Sequence, residues 1–379
     1  MVFFGQKWGV FGDCLIVVGG AARQRRALTA QFRAKKRRAG LGVSELFSYL
    51  CIAMTKEDLR IVFMGTPEFA VETLRALVEN GYRVVAVVTQ PDKPVGRHHE
   101  TLQPSAVKQY ALSQGLPVLQ PEKMKDPVFV ETLRGYGANL QVVVAFRMLP
   151  EVVWAMPEYG TFNVHAALLP QYRGAAPINW AVINGETETG VTTFFLDHDI
   201  DTGRIIMQLP FAVPDTADVE YVYNGLMRLG ADICLQTLER IVAADGRPES
   251  IPQDSPRFAV PASGLRHAPK LFKDTCRIDW GLPAKRVYDF VRGLSPAPGA
   301  WTTLCGADGR ETVVKLYRTT KTELPATAPG RIVADRHRLY VSAADCLLQI
   351  DELQLAGKKR MDAAAFLNGV KEIEKYFVK

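Results

Sequence analysis

Two features are missing from this sequence: a long apolar run and a paired set of cysteines. A membrane-spanning helix needs about 20 consecutive apolar residues, and no stretch of the chain reaches that length without a charge. The six cysteines form no CxxC pair and none lies beside a histidine, which argues against a zinc site. They also lack the spacing of a disulfide framework, so we expect reduced thiols. The sequence therefore predicts a soluble protein of the cytoplasm.

Signatures of dinucleotide-binding and calcium-binding loops are missing as well. The turn that begins at Gly65 reads GTPEFA, which lacks the glycines of the GxGxxG fingerprint and argues against a nicotinamide-dependent oxidoreductase. Aspartates alternate from Asp197 onward, but a calcium loop beginning there needs Gly at its sixth position and Glu at its twelfth. Those positions hold Thr202 and Gln208. We expect no bound metal.

The chain is long enough for two domains, and its charge changes sign along its length. Its 379 residues are 47% apolar and 23% charged, which is ordinary for a globular protein. Residues 1–53 carry 9 Lys/Arg and 2 Asp/Glu, residues 54–261 carry 17 and 25, and residues 262–379 carry 20 and 13. An acidic middle and a basic end predict one module for chemistry and another that attracts a polyanion.

Strand and helix patterns alternate from Leu59 onward. Thr66 is expected to cap the first helix, with Pro67 at its first position. The alternation predicts an α/β fold with a Rossmann-like, doubly wound parallel sheet, whose ligands lie beyond the carboxyl ends of the strands. The predicted strands are 60–64, 84–89, 117–119, 140–146 and 190–196, and the predicted helices are 69–80, 105–114, 126–135, 219–230 and 231–244.

The pattern changes after residue 245. Residues 246–261 are rich in Pro and Ser and read as a linker. A predicted helix at 284–292 is followed by short apolar runs between turn residues, which predict a small β-barrel. We therefore divide the chain into an N-terminal extension (1–53), a catalytic domain (54–245), the linker (246–261) and a C-terminal barrel (262–379). The predicted barrel strands are 301–304, 313–317, 330–333, 338–342 and 346–354.

The stretch GTFNVHAALLPQYRGAAP, which begins at Gly160, places an amide and an imidazole on one face of a predicted strand. Side chains alternate along a strand, so Asn163 and His165 point the same way. A lone histidine in an apolar strand is more often a core residue than a catalyst. The next predicted strand runs into a loop that carries Asp201, however, and polar groups that converge at strand ends are candidates for a site.

These three side chains suit attack by a neutral nucleophile on a carbonyl or formyl carbon. The amide of Asn163 can donate to an oxyanion, and His165 can donate to it or carry a proton. Asp201 can orient the imidazole and favour its charged form. No nucleophilic serine or cysteine is evident, so we expect the attacking group to be an amine of the substrate.

The residues around this set resemble the methionyl-tRNA formyltransferase family. The resemblance implies a formyltransferase fold followed by an OB-like barrel, and it covers residues 57–379. It also implies transfer of the formyl group of 10-formyltetrahydrofolate to the amino group of methionyl initiator tRNA. We expect the enzyme to be a monomer. The motifs that carry it are Asn163-Val164-His165, Leu168-Leu169-Pro170, YRGAAPI from Tyr172, Asp201-Thr202-Gly203, HAPKL from His267, IDW from Ile278 and GKKRM from Gly357.

The resemblance implies a set of folate-binding residues. In such enzymes the pterin is held largely by backbone groups of the segment that matches residues 143–150. Arg147 stands where many relatives carry Gly, and Ala167 and Gln171 replace a frequent Ser and Arg. The candidate folate-binding residues are Val144, Phe146, Arg147, Met148, Leu149, Leu168, Leu169 and Pro170.

The tRNA is expected to meet two parts of the chain. A long polar loop between Gln90 and Pro104 matches the loop that, in these enzymes, enters the acceptor end of the initiator tRNA, and Arg97 is its principal candidate. The basic C-terminal module is expected to lie along tRNA phosphates, which position the substrate without reading its sequence. The other candidates are Lys93, Arg173, Lys270, Lys273, Arg292, Lys358, Lys359 and Arg360. Trp280 and Trp301 are expected to lie in the core.

Residues 1–53 fit neither domain. An Arg-rich, acid-poor segment of this kind is typical of an organelle transit peptide or of a basic arm that touches RNA. Members of the family begin a few residues before the first strand, so we expect Met54 to be the true start and the extension to be disordered or dispensable.

Two other functions remain open at this point. The same chemistry could act on a small amine, although such a substrate needs neither the basic C-terminal module nor the loop at Arg97. The chain could also be an RNA-binding relative that has lost catalysis, although Asn163, His165 and Asp201 are all present.

Overall fold

A computed structural model describes residues 9–11, 14–16, 54–95, 101–258, 264–306, 309–370 and 372–379. Contacts divide the chain into two compact units. From Met54 onward, the first unit takes in 54–67, 74–161 and 234–250, and the second takes in 68–73, 162–233 and 251–379. The predicted division into domains remains a prediction. Arg97 lies outside the described residues, as does the extension apart from two short paired strands, β1 (Gly9–Phe11) and β2 (Cys14–Ile16).

A parallel ladder forms the centre of the first unit. Its strands are β3 (Arg60–Gly65), β4 (Arg83–Val88), β7 (Val118–Leu119) and β8 (Leu140–Val144), in the order β8-β3-β4-β7. Nearly every residue of β3 and β8 is buried, as parallel strands covered on both faces require. The predicted α/β fold is confirmed. The other elements up to residue 160 are a hairpin of β5 (Lys93–Val95) and β6 (Thr101–Gln103), and the helices α1 (Glu68–Glu79), α2 (Ala106–Ser113), α3 (Pro127–Gly135) and α4 (Glu151–Trp154).

Two of these helices begin at the caps that the sequence supplies. The hydroxyl of Ser105 accepts the N–H of Lys108 at the start of α2, and the carboxylate of Asp126 accepts the N–H of Val128 at the start of α3. The predicted cap of α1 is wrong, because the N-cap position is occupied by Pro67 and not by Thr66.

The strand order reverses beside β3. The chain runs from β3 to β4 and β7 on one side and then returns to β8 on the other, so Gly65 lies opposite Val144 at the carboxyl ends. Open α/β sheets bind ligands at such a switch point. The predicted folate segment (143–150) leaves β8 there, and Ala145, its first residue beyond the strand, adopts the left-handed region, with φ of 46°.

An antiparallel ladder forms the first part of the second unit. Its strands are β9 (Thr161–His165), β11 (Glu188–Phe195) and β12 (Ile205–Ala212), and β11 pairs with both of the others. Between β9 and β11 lie the short strand β10 (Arg173–Gly174) and the helix α5 (Pro177–Ile183).

A single helix follows β12, where the sequence pattern predicts two. Helix α6 runs without a break from Val219 to Ala243, so the predicted boundary at Gly230 is wrong. A Cβ at Gly230 would stand 3.5 Å from a methyl group of Val164, which shows that the helix passes close to β9 at this point. Glycine in a helix interior costs only about 1 kcal/mol relative to alanine, so this close packing is compatible with a continuous helix.

The C-terminal part of the second unit is a nearly closed antiparallel barrel, as predicted. A bridge between Arg331 and Phe377 joins the two ends of its strand ladder. Trp280 is 4% exposed within the barrel core, as expected. The elements are β13 (His267–Ala268), α7 (Ala284–Gly293), β14 (Ala300–Cys305), β15 (Glu311–Pro325), β16 (Ile332–Ala334), β17 (Leu339–Ser342), β18 (Cys346–Leu355), β19 (Met361–Asp362), α8 (Ala363–Asn368) and β20 (Phe377–Val378). The barrel strands pair in the order β16-β17-β18-β15-β14-β20.

Within the described ranges, no helix combines the length and the apolar character that crossing a bilayer requires.

Arg292, a predicted phosphate contact, instead lies in a buried ion pair. Its Nε is 2.8 Å from a carboxylate oxygen of Asp289, and its Nη1 donates to the carbonyl of Ala217 at 2.7 Å. Lys285 binds the same carboxylate of Asp289 at 2.6 Å. The side chain of Arg292 is 7% exposed and that of Asp289 is 3% exposed. The structure therefore contradicts the predicted role of Arg292, because an enclosed and neutralised guanidinium is not available to a phosphate.

We predict that Asp289→Asn lowers the free energy of unfolding by about 3–5 kcal/mol, because it leaves the guanidinium of Arg292 buried without its counter-charge. Urea unfolding followed by circular dichroism measures the change. The matched control is Asp335→Asn, which removes an exposed pair with Arg338 and should leave the unfolding midpoint near that of the wild type. Equal midpoints for the two variants would contradict this assignment.

Candidate active site

The predicted polar pair lies on β9. Asn163 lies opposite Phe194 of β11, and His165 lies opposite Thr192. Every residue of β9 is buried except Asn163, which is half-buried. The amide oxygen of Asn163 is buried and finds no hydrogen-bond partner among the residues that the structure describes. A buried amide oxygen without a partner is a costly arrangement, and such an atom in a native structure points to a ligand or a catalytic role.

Both ring nitrogens of His165 face acceptors. Nε2 lies 3.0 Å from the carbonyl of Tyr172, and because a carbonyl can only accept, Nε2 carries a proton. Nδ1 lies 3.8 Å from a carboxylate oxygen of Asp201. That distance is too long for a hydrogen bond but short enough for electrostatic interaction. The structure therefore brings His165 and Asp201 together, as the sequence predicts.

Backbone contacts hold the carboxylate of Asp201. The oxygen that faces His165 also accepts the N–H of Gly174 at 2.9 Å. Asp201 itself adopts the left-handed region, with φ of 55°, a conformation in which aspartate is enriched. The side chain of His165 is 6% exposed and that of Asp201 is 13% exposed, so both groups are largely shielded from solvent.

Sequence reasoning missed the hydrogen bonds that hold the turn at Tyr172. The backbone N–H of Tyr172 donates to the carbonyl of Arg266 at 2.7 Å, and β10 pairs in parallel with β13. The hydroxyl of Tyr172 donates to Glu186, which Arg266 also binds. Burial, with the hydrogen bond to Glu186, raises the pKa of Tyr172 to about 12. The hydroxyl therefore stays protonated at neutral pH and the donor role is stable.

The predicted folate-binding residues differ in exposure. In the first unit Val144 is fully buried, Leu149 is 8% exposed and Met148 is 70% exposed. The guanidinium of Arg147 donates to the carbonyls of Pro121 and Glu122, and burial lowers its pKa. Phe146 lies beside that guanidinium. Arg147 therefore binds the loop at Pro121 and Glu122 and does not extend into solvent.

In the second unit, the predicted folate-binding residues after β9 are held by the antiparallel ladder. Leu169 packs against Phe194, its N–H donates to Thr192 at 3.1 Å, and its carbonyl accepts from Gln208 at 2.8 Å. Leu168 is half-buried and Pro170 is buried.

Most of the predicted tRNA-binding cations are exposed. Arg360 already makes contacts within the protein, because it pairs with Glu352 and stacks over Tyr317. Arg173 is half-buried and donates to Gln253. The exposed candidates are Lys93, Lys270, Lys273, Lys358, Lys359 and Arg360.

Among the described residues, no group of three or more His, Cys, Asp or Glu side chains could hold a metal ion.

Comparison with known families identifies both parts of the chain. The family model described as Formyl transferase matches residues 59–238, and the model described as Formyl transferase, C-terminal domain, matches residues 270–371. A methionyl-tRNA formyltransferase of Parabacteroides distasonis is 60% identical over 327 residues, which are 86% of this chain and 100% of that protein. One of Bacteroides fragilis is 56% identical over 328 residues, which are 86% of this chain and 99% of that protein.

Solved structures share the fold at low sequence identity. HypX of Aquifex aeolicus, solved in complex with tetrahydrofolic acid, is 20% identical with a TM-score of 0.54, over 82% of this chain and 47% of that chain. This chain thus spans about half the length of HypX. An N-formyltransferase of Helicobacter canadensis, solved with folinic acid and dTDP-3-aminofucose, is 16% identical with a TM-score of 0.53, over 80% of this chain and 100% of that chain.

The family resemblance seen in the sequence is thus confirmed. A match at 60% identity that covers the whole of that relative and 86% of this chain, together with matches to both family models, is decisive. The chain belongs to the methionyl-tRNA formyltransferase family.

Proposed function

We propose that this chain transfers the formyl group of 10-formyltetrahydrofolate to the α-amino group of methionyl initiator tRNA, giving N-formylmethionyl-tRNA for translation initiation in the cytoplasm. One observation carries the proposal: the imidazole of His165 lies between the carbonyl of Tyr172 and the carboxylate of Asp201, two residues along β9 from Asn163. The set provides an oxyanion donor and a proton carrier, and the attacking nucleophile is the amine of the acceptor.

Asn163 stabilises the charge that develops on the formyl oxygen. As the amine nitrogen bonds to the formyl carbon, the carbonyl bond opens and its oxygen becomes negative. The side-chain NH2 of Asn163 donates to that oxygen. A donor held on a strand needs no reorganisation when the charge forms, which is the condition for effective electrostatic catalysis.

His165 carries the proton between the two nitrogens. With Nε2–H committed to the carbonyl of Tyr172, the free lone pair lies on Nδ1, and Nδ1 takes the proton that the attacking amine loses. The carboxylate of Asp201, at 3.8 Å, favours the imidazolium that results. Nδ1 then returns the proton to the folate nitrogen as its bond to the formyl carbon breaks.

The exposed lysines support contact with a polyanion. Lys270 and Lys273 lie at the start of the C-terminal part, and Lys358 and Lys359 lie in the turn after β18. We assign them to tRNA phosphates, together with Lys93 in the hairpin of the first unit. Arg97 completes the interface as the residue that enters the acceptor end.

The decisive experiment compares initiator and elongator methionyl-tRNA as acceptors, with 10-formyltetrahydrofolate as donor. The full-length chain and a protein that begins at Met54 are assayed in parallel. We expect both to formylate the initiator tRNA and neither to formylate the elongator efficiently. Formylation of a free sugar amine without transfer to tRNA would replace this function with the small-amine alternative, and tRNA binding without turnover would favour an inactive relative.

Asn163→Ala should lower turnover by about a hundredfold to a thousandfold, the usual effect of removing one oxyanion donor. Single-turnover formylation of initiator methionyl-tRNA at saturating folate measures it. Asn80→Ala is the control, because Asn80 is exposed and its side-chain amide donates to the helix carbonyl of Ala76. A loss of less than tenfold in Asn163→Ala would count against the oxyanion role.

Arg97→Ala should lower kcat/KM for the initiator tRNA by an amount equivalent to about 1–3 kcal/mol, the usual range for one specific base contact. The loss of kcat/KM should appear when the concentration of initiator tRNA is varied, and KM for the folate should stay unchanged. Arg134→Ala, at an exposed arginine that pairs with Glu131 on α3, is the control. Equal kcat/KM values for Arg97→Ala and the wild type would remove Arg97 from the interface.

A further inference from the structure

Gln253 is a buried glutamine in the segment predicted to be a linker. Its side chain is only 5% exposed. The segment is held to the antiparallel ladder two residues earlier, where Ile251 and Ile205 exchange both backbone hydrogen bonds at 2.8 Å. This part of the segment is therefore folded against β12, and Gln253 has a defined place in it.

The side-chain amide of Gln253 is fully used. Its oxygen accepts from Nε and Nη2 of Arg173, at 3.0 and 2.7 Å. Its NH2 group donates to the carbonyl of Asp201 at 2.8 Å and to the carbonyl of Gly203 at 2.9 Å. Only a side chain with an acceptor at one position and two donors at the other satisfies all four bonds, and among side chains of this length that is glutamine.

These four bonds connect the two segments that set the position of the Asp201 carboxylate. On one side is Arg173, directly before the Gly174 whose N–H binds that carboxylate. On the other side is the backbone of Asp201 itself, held in the left-handed region. A backbone conformation of this kind persists only where surrounding contacts enforce it, and the bond from Gln253 to the carbonyl of Asp201 is such a contact.

The loop that carries Asp201 also has little room to move toward β11. A Cβ placed on Gly203 would stand 1.7 Å from the carbonyl oxygen of Phe195, so the loop crosses the end of β11 at the closest possible approach. Gln253 holds the same Gly203 from the side of the linker segment. The loop is therefore fixed from both sides.

We propose that Gln253 is a positioning residue for the formyl transfer: it holds the Asp201 carboxylate at its place beside Nδ1 of His165. This inference rests on the proposed function. Gln253 does not touch the reacting atoms, and it acts through the position of the Asp201 carboxylate. Loss of its two donated bonds frees the loop, moves the carboxylate away from the imidazole, and weakens support for the protonated ring during transfer.

The test uses Gln253→Leu, which removes all four bonds at similar volume, and Gln253→Glu. The glutamate keeps an acceptor for Arg173, but its second carboxylate oxygen faces the carbonyls of Asp201 and Gly203 and cannot donate to them. Gln141→Leu is the matched control: Gln141 is 1% exposed, accepts a hydrogen bond from Thr161 at 2.9 Å, and lies toward the amino end of β8. Thermal unfolding of all variants shows whether they fold.

We expect both Gln253 variants to lose about tenfold to a hundredfold in kcat, the usual cost of misplacing a catalytic group or its support. KM for the folate and for the tRNA should stay near wild type, and Gln141→Leu should keep its kcat. In an Asp201→Asn background, Gln253→Leu should cause no further loss, because residues that act through one group are not additive. An equal fold-loss in both backgrounds, or an effect on KM for tRNA alone, would overturn the proposal.

A second measurement does not depend on activity. In protein labelled with ¹⁵N-histidine, the ring signals of His165 are assigned by their absence in His165→Asn. They should shift in Gln253→Leu and stay in place in Gln141→Leu. Unchanged His165 signals in a folded Gln253→Leu would overturn the proposal. If the wild type formylates no tRNA, the proposed function fails, and these signals still decide whether Gln253 positions Asp201.

Discussion

The site depends on the backbone of the turn from Tyr172 to Gly174. This turn supplies the carbonyl that holds Nε2 of His165 and the N–H that holds the carboxylate of Asp201. It is fixed in turn by the parallel pairing of β10 with β13, almost a hundred residues further along the chain. A Cβ on Gly174 would stand 2.5 Å from the carbonyl of Ala268, and its φ of 127° is unfavourable for other residues. Glycine at this position therefore allows the two strands to approach.

Under the proposed function, this arrangement gives the C-terminal half of the chain a part in holding the candidate site as well as in binding the tRNA. Gln253 lies in the segment predicted to be a linker and strand β13 follows it, yet both hold residues of the candidate site. The buried pair of Asp289 and Arg292 adds to this connection, because Arg292 donates to the carbonyl of Ala217. A basic module that served only to attract tRNA would need none of these bonds. We infer that the enzyme depends on both halves for the geometry of its site.

Several differences between prediction and structure have the same physical origin. The arginine at position 292 is indistinguishable in sequence from a surface cation, and only its neighbours show that it is enclosed. Gly230 is a plausible helix boundary by propensity, and its packing beside Val164 shows why a glycine lies inside a continuous helix. Thr66 is a good N-cap residue by type, but Pro67 occupies the cap position. Local propensity is a weak signal wherever contacts with distant residues decide the outcome.

The sequence by itself determined the parallel α/β architecture, the barrel, and the placement of Asn163 and His165 on one strand face. These follow from local periodicity, since alternation along a strand and the repeat of a helix are set by covalent geometry. The family motif Asp201-Thr202-Gly203 also indicated Asp201 as a site residue. Only the tertiary structure decided that Nδ1 of His165 faces that carboxylate and that the carbonyl of Tyr172 binds the other ring nitrogen. It also decided that Gln253, 52 residues further along the chain, donates a hydrogen bond to the carbonyl of Asp201. Hydrogen bonds between distant segments leave no periodic trace in the sequence, because their partners meet only when the chain has folded.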